Sequence, residues 1–409
     1  MGSHATPVNS APLDLSKWRN LPIALIGVGG VLSLIGLFHD SKQFAFSWLL
    51  AFMFFLSLVV GGLFLTILHH LFDASWSVPI RRLNEHLASL APVMFVLFIP
   101  IALLAPKLYS WMTMLDHPDH ALHAKLPLFT MPSFYLIAVI NFAVWSFLGL
   151  SLRKQSLLQD KTGAAVHTDK MRFLSYIGIF LFAITVTLAA IMWMKALQHQ
   201  WFSTMFGVWY FAGSTWLTLA TIYLISMLLA RQGPLKAVMK EKQFYFIGSL
   251  LFAFTVFHAY VTFSQYFIIW NANMPEETFW YLTREKGTWF QIGVLIIIGH
   301  FFIPFLALIR IDVKNKPWWM IWVIAWAWIM HFVDLSFNIV PVIHPDGFVL
   351  HWNDLAAFAF IGGVLAKVYL KQLASHPYYP QRDPRLAEGL DVYVPPATTV
   401  SGAAGKAGH

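Results

Sequence analysis

An all-α, polytopic membrane protein is the fold class this sequence predicts, on three observations. Of 409 residues, 58% are hydrophobic and only 11% charged, where soluble domains carry roughly 25% charged residues. Apolar runs near the ~20 residues needed to cross a bilayer core recur along the whole chain. Lys and Arg gather in alternate connections, as they do in chains threaded back and forth through a membrane.

Ten spans follow in order. The first, 21–38, is uncharged; residues 1–20 before it are polar and lack a cleavable signal pattern, so it reads as a retained helix. The second, 46–71, is also uncharged and closes on His69 and His70. The third, 86–105, lies between Arg82 and Lys107, and the fourth, 131–152, stops at Arg153 and Lys154. The fifth, 173–194, starts after Arg172, and the sixth, 202–230, ends at Arg231. The seventh, 244–270, and eighth, 288–309, flank a charged loop. The ninth, 317–341, opens with Trp318, Trp319 and Trp322 as an interfacial belt, and the tenth is 353–374. Most connections are short, as between antiparallel neighbours in bundles; the longer ones are 106–130, 153–172 and 271–287. The predicted organisation is a cytoplasmic segment at 1–20, one membrane domain at 21–374 and a cytoplasmic tail at 375–409.

Most of the 27 Lys and Arg residues fall at the N-terminus, after spans two, four, six and eight, and at the C-terminus, which predicts that both termini are cytoplasmic. The net charge of +8 is largely this bias and calls for no nucleic-acid partner. The chain has no cysteine, which excludes disulfides, thioether-attached haem and thiolate-bound iron–sulfur clusters on this chain.

Polar residues inside spans are costly and usually face a bundle interior or a water-filled cavity. Offsets of three, four and seven share a helix face. In span seven this groups Thr255, His258, Thr262 and Gln265; in span nine, His331, Asp334 and Asn338; in span six, Tyr210, Ser214, Thr218 and Thr221. Span eight adds His300, one turn before Pro304. The simplest arrangement is a four-helix bundle of spans six to nine around a polar core. Imidazole both accepts and donates protons near neutrality, so His258, Thr262, Gln265, His300, His331, Asp334, Ser214 and Thr218 are candidates for a proton path. The bland alternative is that hydroxyl stripes glue helices together.

A second group closes span two: Thr66, His70 and Asp73 share a face, and His69 also stands four residues from Asp73, with Arg81 and Arg82 following. It reads either as a cytoplasmic proton inlet or as an interfacial helix end. The outward loop after span seven offers Glu276, Glu277 and Arg284 as candidates for docking a partner, beside Glu285 and Lys286. His344, Asp346, His351 and Asp354 match no strong metal motif, and no metal site is assigned.

Four stretches together, ASWSVPIRR (74–82), WFSTMFGVWYFAGS (201–214), FSQYFIIWNANMPEETFWYLTREKGTW (263–289) and HPYYPQRDPRL (376–386), resemble ActF. ActF is an NrfD-like integral membrane subunit of alternative complex III, a bacterial quinol:electron-acceptor oxidoreductase. The resemblance implies two four-helix bundles, spans two to five and six to nine, with spans one and ten outside them. It implies a place in the bacterial inner membrane and no cofactor on this chain. Quinol or menaquinol, haem c and iron–sulfur clusters would belong to partner subunits. The partners would be an ActC-like membrane subunit, iron–sulfur and multihaem cytochrome c subunits, lipids, and a haem–copper oxidase in a supercomplex. The proton-path residues it points to are His258, His331, Asp334 and the His69–Asp73 helix end. The chain departs from the family at MWMKAL (192–197): Met192 stands where the family has an acid, and Lys195 where it has Ser. Four alternatives stay open: a quinone-oxidising subunit in its own right, a structural scaffold, a b-type cytochrome, and a secondary transporter.

Overall fold

The computed structural model describes residues 16–126 and 128–391, and among these it is entirely helical. The expected N-terminal segment up to residue 15 and the tail from 392 lie outside the described residues. Among the described residues, ten helices are long and apolar enough to cross a membrane. They are α1 (Asn20–His39), α2 (Ser41–Phe72), α3 (Ser75–Leu103), α4 (Met131–Thr162), α5 (Val166–Gln198), α6 (Phe206–Gln232), α7 (Glu241–Ala272), α8 (Gly287–Leu308), α9 (Pro317–Val342) and α10 (Trp352–Ser375).

Helix α2 is the hub. It is apolar all round, the pattern of a helix enclosed by others, and its apolar window is wholly buried. It packs on α3 and α5 to make the first bundle with α4, and on α6 and α9 to join that bundle to the second, α6–α9. Its Gly61-Gly62 pair lets two helices close in. A Cβ on Gly61 would strike Thr218 Oγ1 of α6, and one on Gly62 would lie 2.7 Å from Leu87 Cβ of α3. Helices α1 and α10 pair with each other. They stand outside the bundles as expected, but α10 also lies directly against α2.

The helices are longer than hydropathy alone outlines. Helix α3 begins at Ser75 rather than near residue 86, because its polar first turns are enclosed by charge partners. Pro92 and Pro100 break its later course into short segments, and Pro106 opens the short helix that follows, Ala105–Leu108. The expected long connection at 153–172 is mostly helix: α4 runs to Thr162, Gly163 turns the chain at φ 71°, and α5 starts at Val166. The connection after α7 contains a further helix, Pro275–Arg284. Trp318, Trp319 and Trp322 face outward, each more than half exposed.

At the face where α2, α4, α6 and α8 end, here the basic face, Arg81, Glu85 and Asp383 are fully buried together. Arg81 donates to Asp383 and, at 3.1 Å, to Ser156 Oγ, while its Nε lies 3.0 Å from Glu85. Arg82 pairs with Asp160. The segment after α10 thus straps the ends of α2, α3 and α4 together. Burial alone would raise the Asp383 carboxyl. The His69 ring, with Nε2 3.9 Å away, and the Arg81 and Arg385 guanidiniums outweigh it and hold the carboxyl well below the usual range.

Candidate functional site

Three helices of the second bundle bring His258, His300 and Asp334 together near mid-span. His258 and Asp334 sit on the stripes of α7 and α9. His300 lies in a π-helical stretch of α8, Ile297–Phe302; such single-turn widenings recur at functional sites. His258 Nε2 and Asp334 Oδ2 are 3.3 Å apart. The His300 ring is stacked between Trp216, at 4.1 Å, and His258, at 4.2 Å. All three residues are at most 3% exposed. On α6, Gly213 makes room: a Cβ there would lie 3.2 Å from His331 Cε1 and 3.4 Å from the His258 ring.

His331 turns away from Asp334. Its Nε2 meets Ser57 Oγ of α2 at 3.0 Å, and Ser57 also contacts the Tyr210 hydroxyl at 3.4 Å. The polar core therefore reaches into the first bundle through Ser57, a residue the sequence stripes did not select.

Below the far face, α7 and α8 part. They pack on each other towards the basic face, where Phe252 and Phe305 rings are 5.3 Å apart. Towards the far face a cavity of about 740 Å³ lies between them, closed from α9 and capped by the Pro275–Arg284 helix. His258, His300 and Asp334 line its inner end, and Gln265, Tyr281 and Arg284 its far end. Its walls are mainly aromatic and aliphatic. Several of them, including Phe263, Phe290 and Ile297, are more than half exposed on the outer surface of the bundle. The cavity is thus a lateral cleft reached from the lipid side of α7 and α8.

The remaining candidates divide. Thr262, Gln265 and Asn338 line the cleft. Thr262 donates to His258 O at 2.8 Å, Gln265 Oε1 accepts from Ser203 at 2.8 Å, and Asn338 donates to Asp334 O at 2.8 Å. Ser214, Thr218 and Thr221 donate to carbonyls of their own helix, and Thr255 accepts from Trp216 Nε1 at 2.8 Å. Thr218 also donates to Ser57 O of α2 at 3.2 Å, and Thr221 accepts from Trp328 Nε1 of α9 at 3.0 Å, so Thr218, Thr221 and Thr255 tie helices together, and none of the four lines the cleft.

At the end of α2 the expected face comes apart. Asp73 is the left-handed C-cap and is clamped by Arg172, at 2.7 and 2.9 Å, and by Arg385. His69 contacts Ser77 Oγ at 2.7 Å and Arg81 at 3.2 Å, while His70 is fully buried with neither ring nitrogen hydrogen-bonded. Met192 is buried in the π-helical stretch Ala190–Met194, and Lys195 donates to Trp201 O at 3.1 Å.

Arg284 corrects its expected docking role. It is 2% exposed, lies 3.4 Å over the Trp280 ring, and donates to Phe337 O, Trp280 O and Asn338 O at 2.8–3.1 Å. A guanidinium so enclosed cannot meet a partner. Glu276 is exposed and Glu277 half-buried, so both remain on the surface. Beside Arg284, burial raises the Tyr281 hydroxyl to about 12. In the connection between α9 and α10, His344 contacts Gln43 Oε1 at 2.8 Å and His351 and Asp354 cap α10, so their donors serve structure. Among the described residues, His258, His300 and Asp334 form the one group of three whose ligand atoms could hold a metal ion.

Fold and site together define an all-helical protein with ten candidate membrane spans and a cleft ending at a buried histidine–carboxylate group. The chain matches no family model, and no curated protein is significantly similar to it.

Proposed function

We propose that this chain is an integral membrane subunit of a bacterial respiratory quinol:electron-acceptor oxidoreductase of the alternative complex III type, and that the α7–α8 cleft receives the quinol headgroup. The observation that carries the reading is the cleft itself: aromatic walls, a side open to lipid, and proton-accepting groups at its inner end. A hydroquinone is an apolar ring with two hydroxyls, and it reaches its enzyme from the bilayer. Such ligands suit pockets that are mostly apolar with a few placed polar groups.

In this reading the ring lies among Phe263, Phe290 and Ile297. One hydroxyl donates to Asp334 Oδ2 or His258 Nε2. Oxidation releases two electrons and two protons. The electrons leave to haem c or iron–sulfur centres of partner subunits at the far face. The protons pass to His258 and Asp334 and then along Thr262 and Gln265 outward. The basic face is cytoplasmic on the positive-inside rule, so the protons leave on the outer side of the membrane. The four resembling stretches support the assignment, since they include the Pro275–Arg284 cap of the cleft and the 376–386 strap.

Purification by this chain from native membranes under mild detergent tests it. Haem c and iron–sulfur subunits should come along, with a reduced-minus-oxidised cytochrome c spectrum. Positioned proton acceptors contribute about 10²–10⁴-fold, so Asp334→Asn should slow quinol oxidation by about 100-fold or more without loss of subunits. A colourless lone chain, or full turnover in both Asp334→Asn and His258→Gln, sinks the reading. Full turnover in an intact complex would favour the scaffold role, for which the inward-bonded hydroxyls of α6 are the supporting observation.

A further inference from the structure

We infer that His258, His300 and Asp334 bind a divalent first-row transition-metal ion of the zinc, cobalt or iron(II) class within the second bundle. One ligand atom from each of His258, His300 and Asp334 lies within 4.8 Å of the others. The three residues come from three different helices and all line the inner end of the cleft. His258 Nε2, His300 Nε2 and Asp334 Oδ2 are each buried and without a hydrogen bond in the protein, the 3.3 Å His258–Asp334 approach being misaligned for one. Buried polar atoms in folded proteins are nearly always hydrogen-bonded. Three unpartnered donor atoms gathered this closely are the donor set of a cation site.

One of the three separations matches that between two ligands of an ion. A tetrahedral zinc holds its N and O ligands at ~2.0–2.1 Å, hence about 3.3–3.4 Å from each other. The His258–Asp334 separation of 3.3 Å already has that value. The ring orientations are fixed from outside: Trp216 and His258 sandwich His300, and Asn338 and Thr262 brace the backbone of Asp334 and His258. The π-helical stretch of α8 is where His300 projects to this group.

Two imidazoles and one carboxylate suit zinc, iron(II) or cobalt. Magnesium and calcium prefer all-oxygen sites. A shared proton between His258 and Asp334 would satisfy two of the three atoms and leave His300 Nε2 unpaired, whereas an ion engages all three. The carboxylate offsets one of its two charges, and the cleft offers the remaining coordination position to a neutral oxygen ligand.

The inference requires only these three side chains and stands whether or not the cleft takes a quinol. If it does, metal and quinol compete for the same lone pairs, so occupancy by zinc would block proton acceptance.

The test uses the full chain in lipid nanodiscs, treated with a chelator and titrated with Co²⁺. One equivalent should bring up the visible absorption of low-symmetry cobalt, and Zn²⁺ should abolish it. His300→Gln and Asp334→Asn should each weaken Co²⁺ binding by about 100-fold or more, beyond the ~10–100-fold that outer-shell changes cost, while His117→Gln in a surface loop leaves it unchanged. His300→Cys keeps a ligand and guards against misfolding in His300→Gln. Because the chain has no cysteine, a cobalt–thiolate charge-transfer band in that variant can come from residue 300 alone. No stoichiometric absorption in the folded chain, absorption that survives His300→Gln and Asp334→Asn alike, or a folded His300→Cys without the thiolate band would each overturn the inference.

Discussion

A buried guanidinium with no carboxylate beside it is an unusual thing to hold in place, and Arg284 manages it with backbone oxygen and an aromatic face. Three carbonyls and the Trp280 ring take up the charge that burial would otherwise disfavour. Lysine cannot reproduce that planar fork. Arg284→Lys should therefore lower stability by about 2–4 kcal/mol, since a hydrogen bond to a charged group is worth about 1.5–3 kcal/mol. Glu276→Gln, on the exposed side of the same helix, should leave the melting temperature in detergent unchanged. Equal melting of Arg284→Lys and the parent would refute this account. The same residue shows why site reading from sequence was partial. Its charge and loop position suggested a surface, and only the fold reveals the carbonyls of Phe337 and Asn338 above it. The His258 stripe was legible because its members follow one another on a single helix. Ser57 was not, because its partners His331 and Tyr210 lie 274 and 153 residues away, and nothing in an apolar run marks one serine among others.

At the scale of elements, ten spans could be read from hydropathy because lipid demands long apolar runs. Their ends could not, where polar helical turns are hidden by distant charges. The start of α3 is the plainest case: VPIRRLNEH has no hydrophobic run, yet it is fully enclosed because Asp383 and Asp160 meet Arg81 and Arg82. Removing one member of a buried ion pair costs about 3–5 kcal/mol, so Asp383→Asn should free the 376–391 strap to limited proteolysis at pH 7. Acid should do the same only at low pH. The folded carboxyl is held below its ordinary value, so its contribution is complete above the unfolded pKa of about 3.9 and is lost as pH falls through the lower folded value. Cleavage of the strap should therefore be the same at pH 7 and pH 5. Release already at pH 5 would show that another group governs it.

For the molecule as a whole, the two bundles are one body because α2 belongs to both. Its all-apolar sequence announced burial but not its neighbours; the Gly61-Gly62 pair that admits α6 and α3 acquires meaning only once those helices are in place. The proposed orientation is open to a direct check, since a chain without cysteine is a blank background for labelling. Thr162→Cys, exposed at the basic face, should react with a membrane-impermeant maleimide only in inverted vesicles, and Glu276→Cys only in right-side-out cells. The reverse pattern would invert the proposed topology and with it the direction in which protons leave. The strap also sets an order of events in biogenesis. Arg81 is synthesised 302 residues before Asp383, and at ~5–20 residues per second the wait is about 15–60 s. Through that interval the α2–α3 corner carries a cation whose principal counter-charge has not left the ribosome. Membrane quality control would thus see an unfinished surface there until residue 383 has been made, and a message truncated before residue 376 would yield ten helices that never lose that mark.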